Sequence, residues 1–366
     1  QAASGVAAVT APEVFVTGFP GFLGASLLER LVTRTETVHC LVQPKYRAAA
    51  ETLAAELAGD DWRADVSLYE GDITQQGLGL DAEDESALHA AVGEVFHLAA
   101  VYDLGVSRAV GEAVNVDGTQ HVLDFATACD VEGFQYVSTC YVSGRYDGVF
   151  TESDLDVGQS FNNHYEATKF EAERLVQERM DEGFPATVYR PAIVVGHSET
   201  GATEKYDGPY YVLRWLQRCP GVAPLPWFPG AGSTELNLVP RDFVVDAIDY
   251  LSQHGDPGAV YQLCDPNPPT IPELTRLFAD ATNTQVLPVP ATPGVGKRLL
   301  GTRAVRSVTG IPPETLDYFT LPTRYVNPAA RRALAGSGIR CPPFASYVDV
   351  LVEYARTHDA RSDAMI

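Results

Sequence analysis

The chain has 366 residues, 45% of them apolar, which is enough to bury a substantial core, and its 48 acidic against 26 basic residues give a formal charge of −22. An acidic balance of that size repels a phosphate backbone, so nucleic acid is not an expected partner. No stretch has the length of a membrane span, and the six cysteines lie far apart with no CxxC pair; neither a disulfide framework nor a zinc site is expected, and the expected setting is a reducing cytoplasm.

Residues 1–11 read as a flexible lead, as do 358–366 at the other end. "EVFVT" (Glu13 to Thr17) is a buried-strand candidate, and Gly21 to Arg34 carries the apolar spacing of a helix through Phe22, Leu23, Leu27, Leu28 and Leu31. Between them stand Gly18, Gly21 and Gly24. In a dinucleotide-binding βαβ unit the first glycine makes the tight turn, the second lets the pyrophosphate approach the backbone and the third lets helix pack on strand, with the helix N-terminus facing the phosphates. Phe19, Pro20, Phe22 and Leu23 complete the expected cradle. The spacing is GxxGxxG, one residue longer in its first gap than the dinucleotide fingerprint, and a plain strand-to-helix turn is the competing reading.

"TVHCLVQ" ends a second strand. Where an acid would hold the ribose hydroxyl of NAD, the chain has Gln43, followed by Lys45 and Arg47. A neutral residue with two cations favours a 2′-phosphate and hence NADPH, unless the cations are simply solvated at a helix start. "DVSLYEGDIT", "EVFHLAAVYD" and "GFQYVSTCYVSG" supply third, fourth and fifth strands with helical stretches between them, an alternation that predicts an α/β, Rossmann-type doubly wound parallel sheet. In "NNHYEATKF", Tyr165 and Lys169 stand four apart, on one face of a helix. A cation beside a phenol favours phenolate and makes tyrosine a usable proton donor and acceptor. With 17 tyrosines and four lysines in the chain, a chance pair is the alternative.

These motifs, TGFPGFLG, GDIT, HLAA, NVDGT (Asn115 to Thr119), VSTCYVSG, YxxxK and YRPAIVVG, occur in the order seen in extended short-chain dehydrogenases/reductases, which the chain resembles from about Glu13 to Ala355. The resemblance implies Thr139 as the substrate-orienting hydroxyl, Tyr165 as general acid, and Lys169 as the residue that holds the nicotinamide ribose and tunes Tyr165. It also implies adenine-side contacts at Asp72 and Ile73, a nucleotide floor at Ala99 and Ala100, support of the relay from Asn115, and cofactor contacts at Pro191, Ile193 and Val194.

The stretch "YRPAIVVGHSETGATEKYDGPYYVLRWLQR" (Tyr189 to Arg218), with "LNLVPRDFVVDAI" and "YQLCDPNPPTIPEL", is similar to the fatty acyl-CoA reductase and thioester reductase branch. That likeness implies NADPH-dependent reduction of an acyl thioester, carried on coenzyme A or a carrier protein, to an aldehyde and on to an alcohol if a second hydride follows. A reductase of a free ketone, aldehyde or secondary alcohol is the alternative, and a non-catalytic NADP-binding regulator a third. Residues 12–196, with a return near 236–264, are expected to bind NADP; 197–235 and 265–357 form a smaller substrate-binding lobe with helices at Ile271–Ala281, Pro328–Leu334 and Phe344–Arg356.

The aromatic run from Asp207 to Phe228 suits either the wall of an apolar cleft or the core of that lobe. Arg190, Arg214, Arg218 and Arg241 are candidate contacts for coenzyme A. Cys140 reads as core, because neighbours on a strand face opposite ways and Thr139 faces the site. The expected assembly is a monomer or homodimer.

Overall fold

Strands whose residues are buried without interruption need cover on both faces, and β1 (Glu13–Thr17), β2 (Val38–Val42) and β7 (Ala186–Pro191) are of this kind. With β3 (Val66–Glu70), β4 (Val92–His97), β5 (Gly133–Val137) and β11 (Val260–Leu263) they form a seven-stranded sheet in the order β11-β7-β5-β4-β1-β2-β3. Every pairing in it is parallel. The computed structural model describes residues 12–358 apart from 36, 220, 228–230, 291, 293, 295–297, 299–301 and 303–312. The ends expected to be flexible therefore lie outside the described residues, except for His358.

Side chains alternate across the sheet with the strand period of two. Val14, Val16, Cys40 and Val42 enter one hydrophobic cluster and Phe15, Leu41, Val95 and Phe134 the other. The connecting helices cover both faces: α1 (Phe22–Leu31), α2 (Arg47–Ala58), α3 (Ala82–Ala91), the short α4 (Arg108–Gly111), α5 (Gly118–Ala128) and α6 (His164–Asp181). A π-helical turn, Glu112–Asp117, joins α4 to α5. Asn163 caps α6, its side chain accepting from the Glu166 amide.

Outside the main sheet stand three parallel two-stranded pairs: β8 (Ile193–Val195) with β10 (Leu238–Pro240), β9 (Val222–Trp227) with β12 (Gln285–Pro290), and β6 (Gly148–Phe150) with β13 (Thr323–Tyr325). α7 (Pro209–Arg218) precedes β9. The expected return to the sheet consists of α8 (Arg241–His254) and β11, which pairs Val260 with Val188. α8 docks on α1 through an Arg30–Asp246 ion pair of 2.8 Å.

α9 spans Ile271–Ala281, where a capping box between Thr270 and Glu273 and a proline in the first turn start it sharply. Helices Pro328–Ala333 and Val348–Thr357 stand near their expected places, although Phe344–Ser346 is a separate 3-10 turn ahead of the second. The first cluster runs on from the sheet into Phe278, Phe344 and Leu351, so the C-terminal elements share its core. Among the described residues no helix is long and apolar enough to cross a membrane, and no group of His, Cys, Asp and Glu could hold a metal ion.

Candidate active site

The strand order reverses between β1 and β4, and ligands of open parallel sheets lie outside the carboxyl ends of the strands at such a point. The residues expected to bind the nucleotide collect along that edge. Gly18 follows β1, Gln43 follows β2, Asp72 and Ile73 follow β3, Ala99 and Ala100 follow β4, and Pro191 ends β7. Gly18 has φ +94°, and a Cβ there would stand 2.8 Å from the Ala99 nitrogen; a Cβ on Gly24 would strike the Gly18 carbonyl oxygen. The Gly21 amide donates to that same carbonyl at 2.9 Å, closing the turn at the start of α1. Phe19 and Pro20 are buried beneath it, Phe22 and Leu23 half-buried. This bare backbone at a helix N-terminus fits the pyrophosphate of a nicotinamide dinucleotide.

At the adenosine end the Gln43 amide donates to Asp72 at 3.0 Å, and Asp72 in turn holds Thr74. Arg47 is tied to Glu51 at 3.0 Å and to the Leu68 carbonyl at 3.1 Å, whereas exposed Lys45 rests its ammonium on the Tyr46 ring. Ile73 packs its side chain into the close approach at Gly118 and accepts from His121 through its carbonyl. Ala99 is anchored by its amide to Thr17, and Ala100 is exposed. Asn115 lies in the π-helical turn; it accepts from the Val101 amide at 2.9 Å and donates to Thr168 at 3.0 Å, so it clamps the loop after β4 to α6.

Thr139 follows β5, while Tyr165 and Lys169 occupy successive turns of α6; all three are buried. The Thr139 hydroxyl donates to the Pro191 carbonyl at 3.5 Å and accepts from the Tyr141 amide at 3.2 Å, close by the Tyr165 phenol. Burial drives the Tyr165 phenol above the ordinary tyrosine range, Thr139 partly offsets it, and the carboxylates of Glu166 and Asp207 add to the rise, so Tyr165 is protonated at neutral pH. The same burial pulls Lys169 down to about 7, with Glu173 opposing. Lys169 donates to the Tyr136 hydroxyl and the Val137 carbonyl, each at 2.9 Å.

Tyr136 was not among the expected site residues, yet its place follows a readable pattern. Tyr136 and Ser138, two apart on and just past β5, face Lys169 and Glu173, four apart on α6: Ser138 donates to Glu173 at 2.5 Å. Behind them His97 is joined to Thr17 at 2.7 Å and to Thr119 at 3.0 Å, and burial with the nearby Lys169 charge lowers it to about 3, which keeps it neutral. Lys205 is a second addition. Its ammonium lies 3.1 Å from the centroid of the Tyr102 ring, and Tyr102 meets Tyr165 edge-on at 4.9 Å.

An apolar cleft opens beside Tyr165. Its wall draws on distant stretches: Tyr102 after β4, Tyr141 after β5, Pro209 and Val212 on α7, Leu274 on α9 and Phe319 near β13. The aromatic run after Asp207 thus serves both expected purposes, since Gly208, Pro209 and Val212 line the cleft while Tyr210, Leu213 and Leu216 are buried core. Phe228 lies outside the described residues, and Trp227 is 39% exposed. Ile193 lines the cleft, and its neighbour Val194 is half-buried.

Cys140 is fully buried, donates to the Arg190 carbonyl at 3.0 Å and has its thiol pushed far up by burial, as a core cysteine should. Arg190, a candidate for coenzyme A, has no access to it: the side chain is fully buried and pairs with Glu173 at 2.6 Å. Arg214 stacks over Tyr206, Arg218 has its own partner, and Arg241 lies over Phe22 within 4.0 Å of Glu204.

A family described as Male sterility protein matches residues 16–248, more than half of the chain. The chain is 30% identical over 264 residues to "Non-canonical nonribosomal peptide synthetase FrzA" of Cladobotryum sp, covering 66% of this chain and 25% of that protein. It is 26% identical over 277 residues to "Fatty acyl-CoA reductase wat" of Drosophila melanogaster, covering 64% of this chain and 53% of the relative. The chain therefore spans from a quarter to about half the length of these relatives. Among solved structures it is similar to "The crystal structure of the terminal R domain from the myxalamid PKS-NRPS biosynthetic pathway", with a TM-score of 0.81, 26% identity, and coverage of 94% of this chain and 90% of that one.

Proposed function

This chain belongs to the Male sterility protein family, and from that premise we propose that it is an NADPH-dependent reductase of acyl thioesters, releasing an aldehyde and a free thiol. The observation that carries this reading is the set of buried residues Thr139, Tyr165 and Lys169 near a dinucleotide cradle, with Tyr165 on the wall of an apolar cleft suited to an acyl chain. In this reading residues 12–196, with the return near 236–264, bind the nucleotide, and 197–235 with 265–357 bind the acyl group. The thiol carrier is coenzyme A or the phosphopantetheine arm of a carrier protein.

When bound, the reduced nicotinamide supplies a hydride to the thioester carbonyl carbon. Thr139 and Tyr165 direct their hydroxyls at the carbonyl oxygen, where negative charge develops. Tyr165 is held in its acid form by burial, which suits it to give the proton that the oxygen needs. Lys169 aligns the ribose and places a cation under Tyr165, easing that transfer. The hemithioacetal then collapses: the C–S bond breaks, the thiolate leaves and takes a proton, and the aldehyde remains. A second hydride and proton at the same site would give the alcohol.

Lys45 is the side chain we assign to the 2′-phosphate, because Arg47 already has internal partners. The test follows NADPH absorbance and free thiol together across acyl-CoA thioesters of increasing chain length, with Tyr165→Phe as control. Both signals should move for the native chain, and the variant should lose about 10²- to 10⁴-fold in turnover. Reduction of free aldehydes or ketones without any thiol release would overturn the thioester reading.

A further inference from the structure

The cleft beside Tyr165 is apolar except for the hydroxyls of tyrosines and of two threonines, Thr275 and Thr315. Tyr318 donates to Glu166 at 2.8 Å and accepts from Asn163 at 3.1 Å, both at the start of α6. Thr315, three residues earlier in the same 3-10 segment (Pro313–Thr320), also lines the cleft and is 6% exposed. Residues three apart in a 3-10 turn share a face, and Thr315 and Tyr318 both line the cleft. Among the described residues the Thr315 hydroxyl has no hydrogen-bond partner.

A buried hydroxyl without a partner is costly, and such groups ask for an explanation. A trapped water is a poor substitute, because it needs several polar partners and the nearby wall is made of Leu236, Ile271 and Leu274. The depth of the group is set, too: the Tyr318 bonds to Glu166 and Asn163 fix its segment to the helix that carries Tyr165.

We propose that Thr315 is a specificity-determining residue that selects acyl groups carrying a hydrogen-bonding function, a hydroxyl or an amide, at one fixed distance from the reacting carbonyl. This rests on the thioester reductase reading for the chemistry, though not for the binding. The plain chain fills the cleft but leaves Thr315 unpaired, and a site built to hydrogen-bond a substrate group discriminates strongly against the analogue that lacks it. Thr275, on the inward face of α9 with Ile271 and Leu274, borders the same cavity and gives a longer substrate a second polar contact.

The experiment uses S-acyl pantetheine thioesters of one chain length: the plain chain, and a series in which a single hydroxyl or amide is moved along it. For the native protein kcat/KM should peak at one position, about tenfold or more above the plain chain. Thr315→Val should remove the peak and leave the plain chain within a few fold, while Thr315→Ser retains it; thermal unfolding of both variants checks that they fold. A flat native profile, a preference for the plain chain, or a peak that survives in Thr315→Val overturns the proposal.

The same series is made as unreactive amides, with nitrogen in place of the thioester sulfur, and their binding is followed by calorimetry. A peak in binding without any thioester turnover sinks the reductase reading and keeps the role of Thr315. Turnover with flat profiles does the reverse. Neither turnover nor binding removes both.

Discussion

Replacing Lys169 with methionine separates what the lysine does for chemistry from what it costs the fold. Its ammonium is fully buried, and burial pulls the group from 10.5 in the unfolded chain to about 7 in the folded one. Between those values the unfolded state binds the extra proton, so the penalty is largest in acid and fades as pH rises toward 10.5. Linkage puts it at about 4 kcal/mol at pH 7 and about 2 kcal/mol at pH 9.

Methionine escapes this term but leaves the Val137 carbonyl and Tyr136 hydroxyl without their donor, an offset of about 1–3 kcal/mol that changes little with pH. Lys169→Met should therefore be somewhat more stable than the native chain at pH 7. Its advantage should shrink by about 2 kcal/mol between pH 7 and pH 9. Urea-unfolding free energies at the two pH values measure the gap, and turnover measured alongside should fall about a hundredfold or more. A gap that stays constant or widens with pH would refute the argument that the buried ammonium is the source of the penalty.

Other changes test other parts of the structure. Glu173→Gln strips the fully buried Arg190 of its carboxylate and should cost about 3–5 kcal/mol in unfolding free energy, most of it regained when both residues are made apolar together. Gly24→Ala drives a methyl into the Gly18 carbonyl, so a fluorescence titration should show NADPH affinity lowered about tenfold or more with secondary structure intact by circular dichroism. Lys45→Ala should raise KM for NADPH about tenfold and leave NADH nearly unchanged, with Arg47→Ala weaker because Arg47 is held by Glu51 and Leu68; equal losses with both cofactors would remove Lys45 from the phosphate.

Much of this molecule is written locally in its sequence. A strand that is covered on both faces needs mostly apolar residues, and the VFV of "EVFVT" and the CLV of "TVHCLVQ" display them; the glycine turn needs a missing Cβ, and Gly18 and Gly24 have none to clash. Thr270, Pro272 and Glu273 mark the start of α9 by capping chemistry that acts within four residues. The four-residue spacing of Tyr165 and Lys169 is likewise a property of one helix.

Tertiary structure decided what depends on residues far apart. Arg190 read as a candidate contact for coenzyme A until β7 set it against Glu173, and nothing in the neighbouring sequence names that partner. Tyr136 became the partner of Lys169 only when β5 and α6 came face to face, 33 residues apart. The cleft takes its wall from stretches between Tyr102 and Phe319, and its depth from a Tyr318–Glu166 bond that spans 152 residues. Periodicity and capping report the field within a turn or a strand; a pocket, and the hydroxyl left unpaired inside it, come from packing that no single stretch contains.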